Sequence, residues 1–336
     1  MKYRMLGKTK LYVSEIAFGS WGIGSYIPGL RAYGPKYDPS SCIALEEALE
    51  NGINIYDTAN SYGFGHSERL IGKVLKNDRD KIVIASKGGF LNHFPTDGIN
   101  QKFDVKSLMR SLVDSLFRLE TNYIDIYQLH SPSWNQITDE DGLINDSLCR
   151  FFDQAKAAGL IRFIGFAAKT PYDALQAVKQ QVYPFDVIQV NFNLTDQRAI
   201  DCGLFEAAQQ AGIGLMTRSP LVHGFLTGSV NADKELHPSD HRLRFTEETQ
   251  KRWNSAIDIF DKVFIKDFSH TQNALRFCLS FPNIGTVISG MNTPEQVVEN
   301  SLSSGLPQLT HSEMVETREK YAIYFAPYPV EMKNEK

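Results

Sequence analysis

Short apolar runs alternate with amphipathic stretches along nearly the whole chain. Apolar, strand-like runs fall at residues 15–19, 53–56, 82–86, 124–129, 161–166, 186–190, 213–217 and 285–289. After each comes a stretch with helical spacing: from Ser40 or Ser41 to Glu50, then 67–76, 104–120, 146–158, 171–182, 199–211, 246–266 with 270–280, and 294–302. A further helix is predicted over 311–323. Start and stop signals support these limits: a serine cap at 40 or 41, Asn51-Gly52 as a terminator, Asp104 as an N-cap, Pro171 in a first turn, and Gly159 and Gly212 as closers. Ahead of the first run, Tyr3–Leu6 and Leu11–Val13 flank Gly7-Lys8-Thr9 and read as a small hairpin, a plug under whatever follows. Residues 23–38 and 219–245 read as long loops.

Strands that alternate with helices imply a parallel sheet. Eight such units without a linker break predict a closed (β/α)8 TIM barrel, with an N-terminal β-hairpin and long loops at the C-terminal face. One domain is expected over 1–336, with its core at about 3–325 and a tail at 326–336. The open doubly wound alternative should show G-x-G-x-x-G after its first strand. Here that place holds GSWGIGS, with no helix directly behind it.

Composition narrows the class. At 42% hydrophobic residues the chain can fill a core, and its net charge of −4 argues against a nucleic-acid partner. Cys42, Cys149, Cys202 and Cys278 are scattered without a C-x-x-C pair, which suits reduced thiols. No apolar run approaches the length of a membrane span, and no h-region opens the chain. A cytoplasmic protein without a membrane partner is expected.

Candidate chemistry sits where the strands end. Asp57 and Tyr62 follow the second run, Lys87 ends the third in KIVIASKGG, and His130 ends the fourth in YIDIYQLHSP. In a barrel these ends share one face, the one that carries catalysis. A phenol is a weak acid near neutral pH unless a cation lowers its pKa, and Lys87 could supply that charge with Asp57 keeping it ionised and aimed. Tyr62 is then a general acid in reduction and a general base in oxidation. Lys87 as a Schiff-base amine is the competing reading. His130 alone could be a core histidine. Asp125, at the far end of its strand, reads as structural. A metal site from His66, His93 and His130 lacks ligand spacing, so no metal is expected.

Asp57, Tyr62, Lys87 and His130, in DTANSYG, ASKGG and YQLH, resemble the tetrad of the aldo-keto reductase superfamily. The resemblance runs from GSWG to ISGMNTPEQVVEN. It implies an oxidoreductase that reduces an aldehyde, ketone or keto-sugar, or runs the reverse reaction, with hydride from NADPH or NADH and His130 as a neutral donor to the carbonyl. Gln189 resembles the residue holding the nicotinamide amide, and Arg218 the position stacked on its ring. Ser219, Pro220 and Leu221, then Gly224, Leu226 and Gly228, resemble the loop over the pyrophosphate. Gly290, Asn292, Gln296, Glu299 and Asn300 resemble the adenosine end, where a helix opens. Ser20, Trp21 and Asp57 complete the expected cofactor contacts.

Two departures stand out. Many relatives carry Ser-Asn where this chain has Ala167-Ala168, so Gln189 acts with fewer helpers. Relatives that favour NADPH often carry Arg or Lys where this chain has Asn292, leaving Lys169 or Arg242 as substitutes. Trp21, Phe90 and Trp134 are the expected walls of a substrate pocket, with Tyr26 or Tyr33 added from the first long loop; Tyr62 and His130 face the substrate. The segment 230–245 could cover cofactor or substrate. The alternative function is a slow-turnover, cofactor-sensing regulatory subunit resembling potassium-channel β subunits, against which the lack of a long N-terminal segment argues. The physiological substrate, the favoured direction and the oligomeric state are not legible in these motifs.

Overall fold

The computed structural model describes residues 1–24, 32–34, 37–90, 101–180, 183–230, 235–264, 266–328 and 330–332. Two short strands, β1 (Tyr3–Met5) and β2 (Tyr12–Ser14), pair antiparallel. Eight more form the barrel: β3 (Ile16–Gly19), β4 (Ile55–Asp57), β5 (Val83–Gly88), β6 (Ile124–His130), β7 (Ile161–Ala167), β8 (Val187–Asn191), β9 (Gly214–Arg218) and β10 (Ile284–Gly290). They run parallel in chain order, and β10 closes on β3. The helices are α1 (Asp38–Glu50), α2 (His66–Leu75), α3 (Val105–Arg118), α4 (Asp146–Ala157), α5 (Pro171–Lys179), α6 (Arg198–Asp201), α7 (Leu204–Ala211), α8 (Glu247–Phe260), α9 (His270–Leu279), α10 (Pro294–Leu302) and α11 (His311–Tyr324). The (β/α)8 barrel and its N-terminal hairpin are as the alternation of runs predicts.

Alternate residues of a strand face opposite ways, and the two faces bury different layers. One set, including Tyr56, Ile84, Tyr127, Ile164 and Ile188, joins the large core between strands and helices. The other set points into the barrel. Its lower layer is apolar: Ala17, Ile55, Val83, Ala85, Ile126, Val187, Met216 and Ile288, closed from below by Leu6, Leu11 and Val13 of the hairpin. The hairpin is therefore a plug, anchored by Lys8 N donating to Gly212 O at 2.9 Å. Two residues further along the same strands the inward positions turn polar: Asp57, Lys87, Gln128, Gln189 and Arg218.

Some limits move. Helix α1 begins at Asp38, with Tyr37 at its N-cap and no side-chain cap bond, and Ser41 is buried inside the helix; neither Ser40 nor Ser41 caps it. The helix expected over 199–211 is two pieces, α6 and α7, because Gly203 takes φ +75 between them. Helix α5 stops at Lys179, and α8 at Phe260. Asp104 does cap α3, accepting from Ser107 N at 2.9 Å. Asp125 lies buried at the start of β6 and bonds Arg79 and Arg162 at 2.7 and 2.6 Å, a structural clasp far from the C-terminal face.

Candidate active site

The C-terminal ends of β4, β5 and β6 bring three of the four candidates to one point. Lys87, only 1% exposed, donates from Nζ to Asp57 Oδ2 at 2.6 Å, to Thr58 O at 2.9 Å and to Tyr62 Oη at 3.2 Å. Tyr62 arrives from the loop after β4. That loop is bent by positive φ at Gly63, Phe64 and Gly65. A Cβ on Gly63 would collide with the Gly24 carbonyl, and one on Gly65 with the Arg118 side chain, so both turns require glycine. Buried groups clamp the same loop. Glu68 accepts from Ser86 Oγ at 2.6 Å and Arg118 Nε at 2.7 Å, and Ser67 Oγ donates to Ser20 O at 2.8 Å. His130 sets its ring edge-on to Tyr62, centroids 5.8 Å apart, and to Phe90 at 4.5 Å.

The electrostatics follow from this packing. Burial opposes the charge on Lys87, but Asp57 and Tyr62 outweigh it and hold the ammonium pKa above that of a free lysine. His130 is held well below the ordinary histidine value, by burial first and then by the cations Lys87 and Arg218. The site therefore joins a charged amine to a neutral imidazole across one phenol.

Sequence reasoning missed Gln128. It is fully buried in β6, two residues before His130 and facing the same way. Its Nε2 lies 3.4 Å from Asp57 Oδ1, and its Oε1 accepts from Gln189 Nε2 at 3.2 Å. Gln189 Nε2 also donates to Asp57 Oδ1 at 2.7 Å. One carboxylate oxygen thus serves Lys87 and the other two carboxamides. The signal was available, since a polar residue in register with His130 inside a barrel strand must find a buried partner.

Several of the expected cofactor residues stand at or just beyond the C-terminal ends of β3, β9 and β10. Ser20 Oγ and Asn292 Oδ1 are buried without a hydrogen-bond partner, beyond the adjacent ends of β3 and β10, where Gly19 pairs with Gly290. A Cβ on Gly22 would collide with Asn292 Oδ1, so the asparagine side chain is turned towards residue 22. Around Gly290 there is open space. Ser219, Val222 and His223 all take positive φ although none is glycine, and Gly224 and Gly228 do so as well. Strain concentrated in one short loop belongs to function more often than to stability. Pro220 and Leu226 are buried beneath that loop, and Leu221 accepts from Gly224 N at 2.9 Å through its carbonyl. Unsatisfied polar atoms, a glycine gap and a strained loop along one rim fit an extended dinucleotide.

Other candidates lie elsewhere. Gln296 accepts from Asn292 N at 2.8 Å at the opening of α10. Glu299 and Asn300 sit in the second half of α10 rather than at its opening; Glu299 accepts from Ser269 Oγ at 2.6 Å, and buried Asn300 donates to Ser289 Oγ at 3.0 Å. Phe90 meets His130 edge-on, and Trp134 meets Phe166 edge-on with centroids 6.1 Å apart. Trp21 meets His241 edge-on at 4.3 Å and Tyr33 at 4.8 Å. In the segment 235–245, His241 N donates to Ala32 O at 2.8 Å, and His241 Nε2 lies 3.1 Å from His223 Nδ1. Arg242 makes a two-pronged pair with Asp240, at 2.9 and 2.6 Å, and Lys169 is exposed. Tyr26 and His93 lie outside the described residues. Among the described residues no group of three His, Cys, Asp or Glu side chains is placed to hold a metal.

A parallel barrel thus gathers an amine, a phenol and an imidazole at the C-terminal ends of its strands, an arrangement suited to moving a proton. The family model for the aldo/keto reductase family matches residues 15–322, and the chain belongs to that family. It is 29% identical over 318 residues to the NADH-specific methylglyoxal reductase of Escherichia coli, covering 89% of this chain and 92% of that one. It is 28% identical to the uncharacterized oxidoreductase YqkF of Bacillus subtilis, over 97% of this chain and 99% of the relative. Among solved structures, the holo form of the aldo-keto reductase AKR11C1 from Bacillus halodurans matches with a TM-score of 0.75 and 26% identity, covering 97% of this chain and 99% of that one. Among the described residues no helix is long and apolar enough to cross a membrane.

Proposed function

We propose that this protein reduces the carbonyl of a small aldehyde, ketone or keto-sugar to an alcohol, or runs the reverse oxidation, with Tyr62 as the proton donor. The observation that carries this reading is the position of Lys87 Nζ, 2.6 Å from Asp57 and 3.2 Å from Tyr62 Oη, at the floor of the barrel's C-terminal face. When bound, a reduced nicotinamide supplies the hydride. Tyr62 gives its proton to the carbonyl oxygen, and the ammonium of Lys87 stabilises the phenolate left behind. Asp57 holds that ammonium in place, and Gln128 and Gln189 hold Asp57. Ser61 Oγ, 3.5 Å from His130 Nδ1, can donate to it, which leaves the ring proton on Nε2, free to donate to the carbonyl oxygen. A protonated, carboxylate-paired Lys87 is a poor imine-forming nucleophile, which disfavours the Schiff-base reading.

Ser20, Trp21, Gln189, Arg218, the strained loop 219–228 and the β10–α10 junction would hold the dinucleotide. The amide nitrogen of Gln189 is committed to Asp57 and Gln128, so only its oxygen would face a carboxamide. Methylglyoxal, the substrate named for the Escherichia coli relative, heads the panel of aldehydes to test. The deciding experiment is Tyr62→Phe. Turnover should fall by at least about three orders of magnitude, as general acid catalysis would require, while the Kd for reduced cofactor changes less than about twofold. If the variant keeps most of its activity, the proton comes from elsewhere and the reading is wrong.

A further inference from the structure

Among the described residues, the carboxylates nearest the tetrad are paired with cations, whereas Arg218 is paired with no carboxylate. Asp57 faces Lys87. Asp196 takes two bonds from Arg198, at 2.8 and 2.7 Å, and one from Asn191 at 2.8 Å. His130 is neutral. Arg218 has no carboxylate within ion-pair reach among the described residues. Its Nη2 extends from the end of β9, past β8, to the carbonyl of Ala168 just beyond β7, at 2.8 Å. Ala167 pairs with His130 across β6 and β7, so this reach lays the guanidinium over the face on the side of His130. Burial pulls Arg218 below the ordinary arginine pKa, and the groups that push back are Tyr62, Asp57 and Asp196. A half-buried cation held by one neutral carbonyl is short of a counter-ion. Its planar fork of donors suits a carboxylate.

We propose that Arg218 selects substrates in which a carboxylate accompanies the reacting carbonyl: oxo-acids and aldehyde-acids. This rests on the carbonyl-reductase reading above. It is compatible with a stacked nicotinamide, because a guanidinium can stack through its plane and donate through its edge.

The test uses the full-length protein with reduced cofactor and pairs of aldehydes differing only in acid against primary amide: glyoxylate and glyoxylamide, succinic semialdehyde and its amide, 4-formylbenzoate and 4-formylbenzamide. In at least one pair the acid should exceed the amide about tenfold in kcat/KM, or ~1.4 kcal/mol. In Arg218→Met that ratio should fall to about one, with the change in KM, and Arg218→Lys should restore part of it. Reading a ratio cancels any uniform effect of the variant on cofactor binding. Turnover of amides with no acid preference in any pair, or an acid preference that survives Arg218→Met, overturns the proposal and leaves the carbonyl-reductase reading standing. Failure to turn over any aldehyde overturns both.

Discussion

The pair His223 and His241 makes this protein sensitive to acid in a way that can be calculated. The two rings come from successive loops after β9 and lie 3.1 Å apart, with Trp21 and Tyr33 edge-on to His241. Burial first, then Arg244 and Arg242, lowers His223 from 6.5 to about 3. Burial first, then His223, Arg244 and Arg242, lowers His241 to about 2. Both rings are neutral in the folded protein at pH 5, whereas in the unfolded chain both are protonated. The unfolded state then binds more protons, so stability falls as pH falls through the unfolded value near 6.5. Each imidazole costs about 2 kcal/mol between pH 7 and pH 5, and the two together about 4. Equilibrium urea unfolding across that range, for the wild type and for a His223→Gln, His241→Gln double variant, measures the difference in slope. The double variant should lose about 4 kcal/mol less over those two pH units, whatever its stability at pH 7. If both proteins lose the same amount, these rings are not the buried neutral pair described here.

Two further outcomes follow from single contacts. A Cβ on Gly165 would sit 2.6 Å from Gln128 Cγ and 3.2 Å from Ile126 Cγ2, so Gly165→Ala should displace Gln128 from Asp57, cost about 1–3 kcal/mol and lower Tm by roughly 2–4 °C with a loss of turnover; an unchanged Tm would show that Gln128 moves aside freely. With Asn292 turned towards Gly22 and Arg242 committed to Asp240, NADPH should hold little advantage over NADH; an advantage of about two orders of magnitude in Kd, roughly 2.7 kcal/mol, would refute this.

The sequence alone determined the architecture. Eight apolar runs, each followed by a helical stretch, admit few arrangements other than a parallel barrel, because strands buried on both faces need helices outside and each other beside them. It also picked out Asp57, Tyr62, Lys87 and His130, since each ends or follows a run and the ends of parallel strands must share a face. Distances through space were beyond it. That Lys87 lies 3.2 Å from the Tyr62 oxygen depends on a glycine-bent loop packed against residues far away in the chain, Arg118 among them. That the Trp134 ring meets Phe166 edge-on is likewise set by packing and not by spacing. Gln128 passed for an ordinary strand residue until the closed sheet set it beside Asp57 and Gln189, 71 and 61 residues away in the chain. Only closure of the sheet shows which polar groups are left without partners, because burial and pairing are properties of the packed assembly and not of any local run. Arg218, bonded to a carbonyl and to no carboxylate among the described residues, could be recognised only there.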